Sequence, residues 1–313
     1  MSATTLATGA GPTASRTSPY RLSFGHVLRS EWIKFRTLRS TWWTLGITVV
    51  VMVGFSLMFA AVMSSMQSAG VSAEEAGMGS TDGVGITVIT VGYTFAQLAV
   101  AVLGALTVTG EYSTGMIRST LSAVPSRLPA LAAKMIVVGV VTAVTTVVAV
   151  GLSWLVTYPI LSGKDMTVDF SSADDQRALI GVVLYLTTVA LFSVAVGVLL
   201  RSSAGAIFTL VAVFFVLSMV LGIVMGVTGA DWVQTLYNSL PASAGEQIVL
   251  GGNMSGSDTI APWPGYAVLL GWTAALVAAA AVVLTRRGGW PRGAPPRRRG
   301  AGRGRGGGGA GGV

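Results

Sequence analysis

The chain has 313 residues, of which 52% are hydrophobic and only 10% are charged, and its net charge is +8. An ordinary soluble domain carries about 25% charged residues, so this composition excludes that class and indicates a membrane protein. The chain has no Cys, which excludes a disulfide framework, thiolate catalysis and a Cys-based metal site.

The N-terminal region divides into a leader and an amphipathic segment. Residues 1–19 are small and polar, which predicts a disordered leader without the apolar core of a cleavable signal peptide. Between Tyr20 and Trp42 the apolar residues recur at helical spacing beside several Arg, which predicts a helix lying in the membrane interface. Glu31 interrupts the apolar face. It is either a solvated carboxylate paired with Lys34 or a carboxylate presented to a cytoplasmic partner.

Six apolar runs are each long enough to cross about 30 Å of hydrocarbon. In lipid only helices satisfy their own backbone groups, so the runs predict an all-α polytopic membrane protein with six transmembrane helices in a domain over residues 20–287. None of the six runs contains Asp, Glu, Lys, Arg or His. The runs are 43–63, 86–109, 135–161, 178–200, 205–227 and 265–285.

The charged residues predict the orientation of the six helices. If the N-terminus is cytoplasmic, 18 of the 20 Lys and Arg fall on the cytoplasmic side and 10 of the 12 Asp and Glu fall on the outer side. Cytoplasmic Lys and Arg are the main orientation signal in membrane proteins. We therefore expect both termini in the cytoplasm of a cell (plasma) membrane protein, with anionic lipids as partners of the basic segments.

The outer segments predict surface structure and no metal centre. Asp174 and Asp175 are adjacent, but they lack the further oxygen ligands at defined spacing that a Ca²⁺ site needs. The third outer segment, 228–264, is the longest. Its two short amphipathic stretches predict helices that return to the outer membrane surface, with Trp232 and Trp263 as aromatic anchors.

A few polar or small residues within the spans require an explanation. Gln97 is costly to leave unpaired in lipid, so we expect it to form an interhelical hydrogen bond or, with Tyr93, to line a translocation path. Gly222 and Gly226 have the spacing of a close helix contact in the fifth span.

The segment 110–134 between the second and third spans predicts a short cytoplasmic amphipathic helix. Ser113 can cap it, Pro125 stops it, and Pro129 can open the third span. Such a helix could pass the motion of a partner to the bilayer. The alternative is a connecting loop that lies on the lipid headgroups.

The chain lacks the motifs of an enzyme. No Lys follows Gly and precedes Ser or Thr, so a phosphate-binding loop is absent, and the only His is His26. The uncharged spans also argue against a proton relay. We therefore expect no catalytic site, cofactor or metal in this chain, and an energy source on a cytoplasmic partner.

The sequence resembles the permease subunits of ATP-binding cassette (ABC) transporters of the type-2, exporter-like permease family. The resemblance covers residues 20–287. It rests on the lead-in from Leu28 to Trp43, on Gly110 to Arg118 followed by Pro125-Ser126-Arg127, and on Leu240-Pro241 with the residues after it.

This resemblance implies an exporter in which two permease subunits, identical or different, each dock on a separate ATPase subunit that binds the ATP. The residues that it implies in coupling to the ATPase are Glu111, Tyr112, Gly115, Ile117, Arg118, Leu121 and Glu31.

Two other functions remain open at this stage. The chain could be a membrane anchor or scaffold for a cytoplasmic partner, or an ion-coupled secondary carrier. Residues 288–313 form an Arg- and Gly-rich tail that predicts disorder, and we interpret it as a contact to inner-leaflet lipids and not to nucleic acid.

Overall fold

The structure is a computed structural model that describes residues 23–71, 83–116, 128–164, 166–250 and 260–286. Most of the described residues are helical, and there is no strand among them. Six helical segments are long and apolar enough to cross a membrane, which confirms the predicted all-α, six-span architecture. They are Arg39–Ser68, Val84–Ser113, Leu128–Ser162, Ala173–Leu200, Ser203–Thr228 and Pro262–Arg286.

The lead-in forms a separate helix before the first span. Helix α1 covers Phe24–Thr37, Leu38 is extended, and α2 covers Arg39–Ser68. A helix therefore forms in this region but ends before Trp42, and its position in the membrane interface stays a prediction. Val27 and Phe35 are buried against the bundle, whereas Phe24 and Trp42 are exposed. Some residues of the predicted apolar face are therefore buried in the protein interior, and others are exposed on the protein surface.

The second span is interrupted near one end. It consists of α3, Val84–Thr90, and α4, Tyr93–Ser113, joined by a turn at Val91 and Gly92. A Cβ on Gly92 would lie 2.5 Å from the Cα of Met52 in α2. The two backbones therefore approach closely at this turn, and a larger residue would separate them.

Helix α6, Ala173–Leu200, lies at the centre of the bundle. It packs against α4, against α5, Leu128–Ser162, and against the last helix, Pro262–Arg286. A Cβ on Gly104 of α4 would lie only 2.5 Å from the Ala190 carbonyl oxygen of α6. The α4–α6 contact therefore depends on glycine at this position.

The fifth span is the least buried of the six. It runs through α7, Ser203–Val211, a π-helical turn at Ala212–Val216, and α8, Leu217–Thr228. A Cβ on Gly226 would meet nothing within 4 Å, and one on Gly222 would meet only the Tyr237 ring, at 3.9 Å. The close helix contact predicted for this glycine pair is wrong within the described part of the chain, because α8 faces outward there.

The segment after the fifth span does not return to the surface as a whole. Helix α9, Asp231–Ser239, is a surface helix with Trp232 exposed, as predicted. Helix α10, Pro241–Glu246, is instead buried beside α11, Pro262–Arg286, so its predicted surface position is wrong. Glycines make this possible: a Cβ on Gly265 would lie 2.4 Å from the Ala244 carbonyl oxygen, and one on Gly181 would lie 2.4 Å from that of Ile248.

The two ends of the bundle carry different charges. At the end where α1 packs, Lys34, Lys134 and Arg201 lie close to the C-terminus of α4. We call this the α1 end. The opposite end holds Asp169 and Asp174, in the connection to α6 and its first turn.

Candidate functional site

The predicted coupling residues fall partly within the described structure. Glu111 and Tyr112 belong to the last turn of α4, and Gly115 follows with a φ of +73°, a left-handed conformation that favours glycine. Ile117, Arg118 and Leu121 lie outside the described residues. So does most of the predicted amphipathic helix that begins after Ser113.

Four charged side chains meet at the α1 end, and we call them the charge cluster: Glu31, Lys34, Glu111 and Lys134. The Lys134 ammonium lies 2.8 Å from Glu31 Oε2 and 2.9 Å from Glu111 Oε1. The Lys34 ammonium lies 2.7 Å from Glu31 Oε1 and 3.3 Å from Glu111 Oε1. The cluster has no net charge, and it ties α1 to the C-terminal end of α4 and the N-terminal end of α5.

Glu31 has a different environment from either predicted one. Its pairing with Lys34 is confirmed, but the solvated interpretation is wrong, because the residue is only 4% exposed. Both carboxylate oxygens of Glu31 are occupied by the ammonium groups of Lys34 and Lys134. The residue therefore holds α1 on the bundle, a role that local spacing within α1 could not show.

The charge cluster changes the pKa values of Glu31 and Lys34. Burial favours the neutral form of Glu31, but the charge and hydrogen bonds of Lys134 and Lys34 outweigh it, so its pKa lies below the ordinary value. Burial likewise opposes the charge on Lys34. Its hydrogen bond to Glu31 and the charge of Glu111 outweigh that cost and raise its pKa. Glu31 and Lys34 are therefore both charged at neutral pH.

A cavity of about 370 Å³ adjoins the charge cluster between α1, α4 and α5. Its floor is apolar, with Phe35, Leu106 and Val138, and all four charged residues of the cluster contribute to its wall. Thr114 and Met116, in the first part of the segment 110–134, also line the cavity. The start of that segment therefore borders an open space.

Tyr112 connects the same region to the central helix. The Arg201 guanidinium lies 5.5 Å from the centre of the Tyr112 ring, within the range of a cation–π contact. Arg201 caps α6 with a φ of 56°, a left-handed conformation that is uncommon for a residue with a side chain. The ends of α4 and α6 are thus joined next to the charge cluster.

A second group of polar residues lies inside the bundle, and we call it the interior acidic cluster: Tyr93, Gln97, Tyr185 and Glu246. The Tyr185 hydroxyl donates to Gln97 Oε1 at 2.6 Å and lies 3.4 Å from Glu246 Oε1. The interhelical hydrogen bond predicted for Gln97 is therefore confirmed. Tyr93 packs edge-on against Tyr185, with ring centres 5.6 Å apart.

Glu246 is the functional candidate that sequence reasoning missed. The six apolar runs contain no ionisable residue, but α10 places this carboxylate beside Tyr185 of α6 and Gln97 of α4. Burial is the main cause that raises its pKa to about 7, although hydrogen bonds with Tyr185 and Gln97 lower it. The small residues Ala242, Ala244 and Gly245, which allow α10 to pack closely, were the available signal in the sequence.

The adjacent aspartates at the opposite end are used locally. Asp174 pairs with Arg177 at 2.6 Å, and Asp175 accepts a hydrogen bond from the backbone N–H of Asp169 at 3.0 Å. Among the described residues, no group of three or more His, Cys, Asp or Glu is placed to hold a metal ion.

Comparison of the chain with models of known protein families gave no match, and comparison with curated proteins gave none either.

Proposed function

We propose that this chain is the membrane-spanning permease subunit of an ATP-driven ABC exporter in the cell membrane, with the α1 end in the cytoplasm. The ATPase is a separate subunit that docks on the segment 110–134, and a second permease subunit completes the transporter. The cargo path runs between the spans past Tyr93 and Gln97. This chain itself has no enzymatic role.

The charge cluster is the observation that carries the proposal. Motion of a partner at segment 110–134 must reach the spans through the C-terminus of α4 and the N-terminus of α5. Glu111 and Lys134 stand at those two positions and bind to each other and to α1. A force applied to the segment would therefore move α1, α4 and α5 together, because the ion pairs resist their separation.

The interior acidic cluster supports a transport role. A carboxylate and a glutamine placed among apolar helices are costly, and proteins keep such groups at depth mainly for function. A scaffold that only anchors a cytoplasmic partner has no use for them.

Binding and ATP hydrolysis test the proposal directly. The chain is co-expressed with a candidate ATPase subunit, purified and reconstituted in lipid nanodiscs. The variant Arg118→Glu reverses a charge in the proposed docking segment, whereas Lys164→Glu makes the same change at the opposite end and serves as control. We expect Arg118→Glu to weaken the complex by about tenfold or more, the equivalent of about 1.4 kcal/mol, and Lys164→Glu to leave it intact.

Equal retention of the ATPase by both variants would contradict docking at this segment. ATP-independent pumping by the chain alone would overturn the proposal as a whole.

An ion-coupled secondary carrier is the second candidate, and Glu246 favours it. A carboxylate among the spans whose pKa is about 7 could exchange protons near neutral pH. This function predicts that a pH gradient drives uptake into liposomes containing only this chain, and that Glu246→Gln abolishes the uptake. The ABC proposal predicts no such uptake.

A further inference from the structure

We propose that the interior acidic cluster, together with Tyr237, binds the positively charged group of a lipophilic organic cation. The inference that the exported molecule is a cationic amphiphile rests on the proposed transport function. The binding itself does not depend on the ATPase and can be measured on this chain alone.

The Glu246 carboxylate has no cationic side chain beside it among the described residues. Among the described residues, no Lys, Arg or His lies within 4.0 Å of the Glu246 carboxylate, unlike Glu31 and Glu111. Its neighbours Tyr185 and Gln97 offer hydrogen bonds but no charge. Glu246 is partly buried, so its carboxylate has lost part of its hydration, and a cation on a ligand can compensate for that loss.

Aromatic rings surround the Glu246 carboxylate. Tyr185 is fully buried and Tyr93 almost so, and their rings meet at an angle of 85°. Tyr237 is half-buried on α9, and burial and the charge of Glu246 both raise its pKa. Aromatic faces attract organic cations through the ring quadrupole, most strongly where water is excluded.

Helix α10 holds Glu246 in place before any ligand binds. A Cβ on Gly245 would lie 2.7 Å from Leu269 Cδ2, and one on Gly265 would lie 2.4 Å from the Ala244 carbonyl oxygen. The Ser243 hydroxyl also donates to the Tyr237 carbonyl oxygen, which links α10 to α9. A fixed carboxylate favours affinity because little conformational freedom is lost on binding.

The chemistry of the cluster favours an organic cation over a metal ion. Ca²⁺ takes about 6–8 oxygen ligands, and Mg²⁺ needs near-octahedral oxygen geometry. Here one carboxylate and one amide supply three such oxygens, and phenol groups are not among the ligands that these ions ordinarily take. A single carboxylate surrounded by aromatic rings matches one diffuse positive charge on an apolar molecule.

Equilibrium binding of tetraphenylphosphonium to the purified full chain in nanodiscs tests this inference. The probe is a permanent cation, so a change of pH titrates only the protein. We expect Glu246→Gln to weaken binding at about pH 8 by about tenfold or more. The matched control Asp231→Asn removes an exposed carboxylate of α9 and should leave the affinity unchanged. Tyr237→Leu should lower the affinity several-fold, whereas Tyr237→Phe should retain it, because only the ring is required.

The pH dependence gives an independent readout. The titratable groups facing Glu246 are Tyr93 on α4, Tyr185 on α6 and Tyr237 on α9. All three are phenols, a group whose ordinary pKa is about 10. Only Glu246 is then expected to titrate near pH 7. Affinity should rise as pH increases through about 7, where the carboxylate loses its proton, and Glu246→Gln should remove this dependence.

Three outcomes would overturn the inference. They are equal binding by Glu246→Gln and the unchanged chain, equal binding of the anion tetraphenylborate, and displacement of the probe by NaCl but not by choline chloride at the same ionic strength. If Glu246→Gln fails to fold, the inference is tested by the affinities of Tyr237→Leu and Tyr237→Phe and by the pH dependence of binding to the unchanged chain. If the unchanged chain bound no cation but still supported ATP-driven transport, only this inference would be rejected. Cation binding by a chain that neither retains an ATPase subunit nor supports ATP-driven transport would reject only the proposed function.

Discussion

Lys134 joins the charge cluster to the backbone of the second span. Its ammonium has three donors, and they reach Glu31, Glu111 and the Thr107 carbonyl oxygen, the last at 3.2 Å. Lys34 also contacts both carboxylates, but its side chain is 26% exposed against 13% for Lys134. Water can therefore replace more of the ion-pair stabilisation that Lys34 provides than of the stabilisation that Lys134 provides.

This difference leads to a ranked prediction. Replacing Lys134 by Gln leaves two carboxylates with one lysine, and loss of a buried partner costs about 3–5 kcal/mol, so we expect on the order of 3 kcal/mol here. Lys34→Gln should cost about 1 kcal/mol, and Lys164→Gln at the opposite end less than about 0.5 kcal/mol. Thermal unfolding in detergent micelles gives the order, and equal effects of the Lys34 and Lys134 variants would contradict it.

A double substitution separates charge balance from packing. Lys134→Gln combined with Glu111→Gln removes one charge of each sign, so the pair should be less destabilised than Lys134→Gln alone. If the double variant were worse, the cluster would act through side-chain packing and not through its charges.

At the scale of helices, glycine positions decide how closely the spans approach. In α4, a Cβ on Gly104 would lie 2.5 Å from the Ala190 carbonyl oxygen and 2.8 Å from the Ser193 Cβ. A Cβ on Gly110, in the same helix, would meet nothing within 4 Å. The same residue type therefore has a packing role at one position and none at the other.

The two glycines form a matched pair for a second prediction. Gly104→Ala must push α6 away from α4, so we expect it to destabilise the protein by about 1–3 kcal/mol. Gly110→Ala has space for its methyl group and improves helix propensity, so we expect no loss and a gain of up to about 1 kcal/mol. Unfolding temperatures of the two variants in one detergent make the comparison, and a loss at Gly110 as large as at Gly104 would contradict the packing argument.

The elements that the sequence predicted are those governed by hydropathy. Each span is an uninterrupted apolar run, and its length alone indicates a membrane helix. The breaks at Leu38 and at Val91 and Gly92 depend on tertiary contacts, such as the approach of α2 to Gly92, which the run does not encode. The burial of α10 was missed because small residues pack well against protein but resemble a weakly amphipathic surface helix in sequence.

The functional residues follow the same division. Gln97 was predictable because an amide within an apolar run needs a partner. The pairing of Glu31 with Lys134 was not, since the two residues are distant in the chain and only the packing of α1 on α5 brings them together. Glu246 lies outside every apolar run, so a search of the runs alone could not find it.

At the scale of the whole molecule, the sequence argument for orientation predicts that the α1 end is cytoplasmic. Described basic residues cluster at the α1 end, and the aspartates of the α5–α6 connection lie at the other. Positive residues are retained on the cytoplasmic side during insertion. The ends therefore have a predicted sidedness, and all the proposals for a cytoplasmic ATPase depend on it.

The absence of Cys from the chain makes this orientation measurable without background. We expect a cysteine introduced as Ala173→Cys, exposed at the start of α6, to react with a membrane-impermeant maleimide in intact cells. Ser113→Cys, exposed at the end of α4, should react only after the membrane is permeabilised. The unchanged chain is the blank, and labelling of both variants in detergent shows that each cysteine is accessible. The reverse pattern in intact cells would place the charge cluster outside, where no ATP-dependent partner could reach segment 110–134, and the proposed exporter would then be excluded.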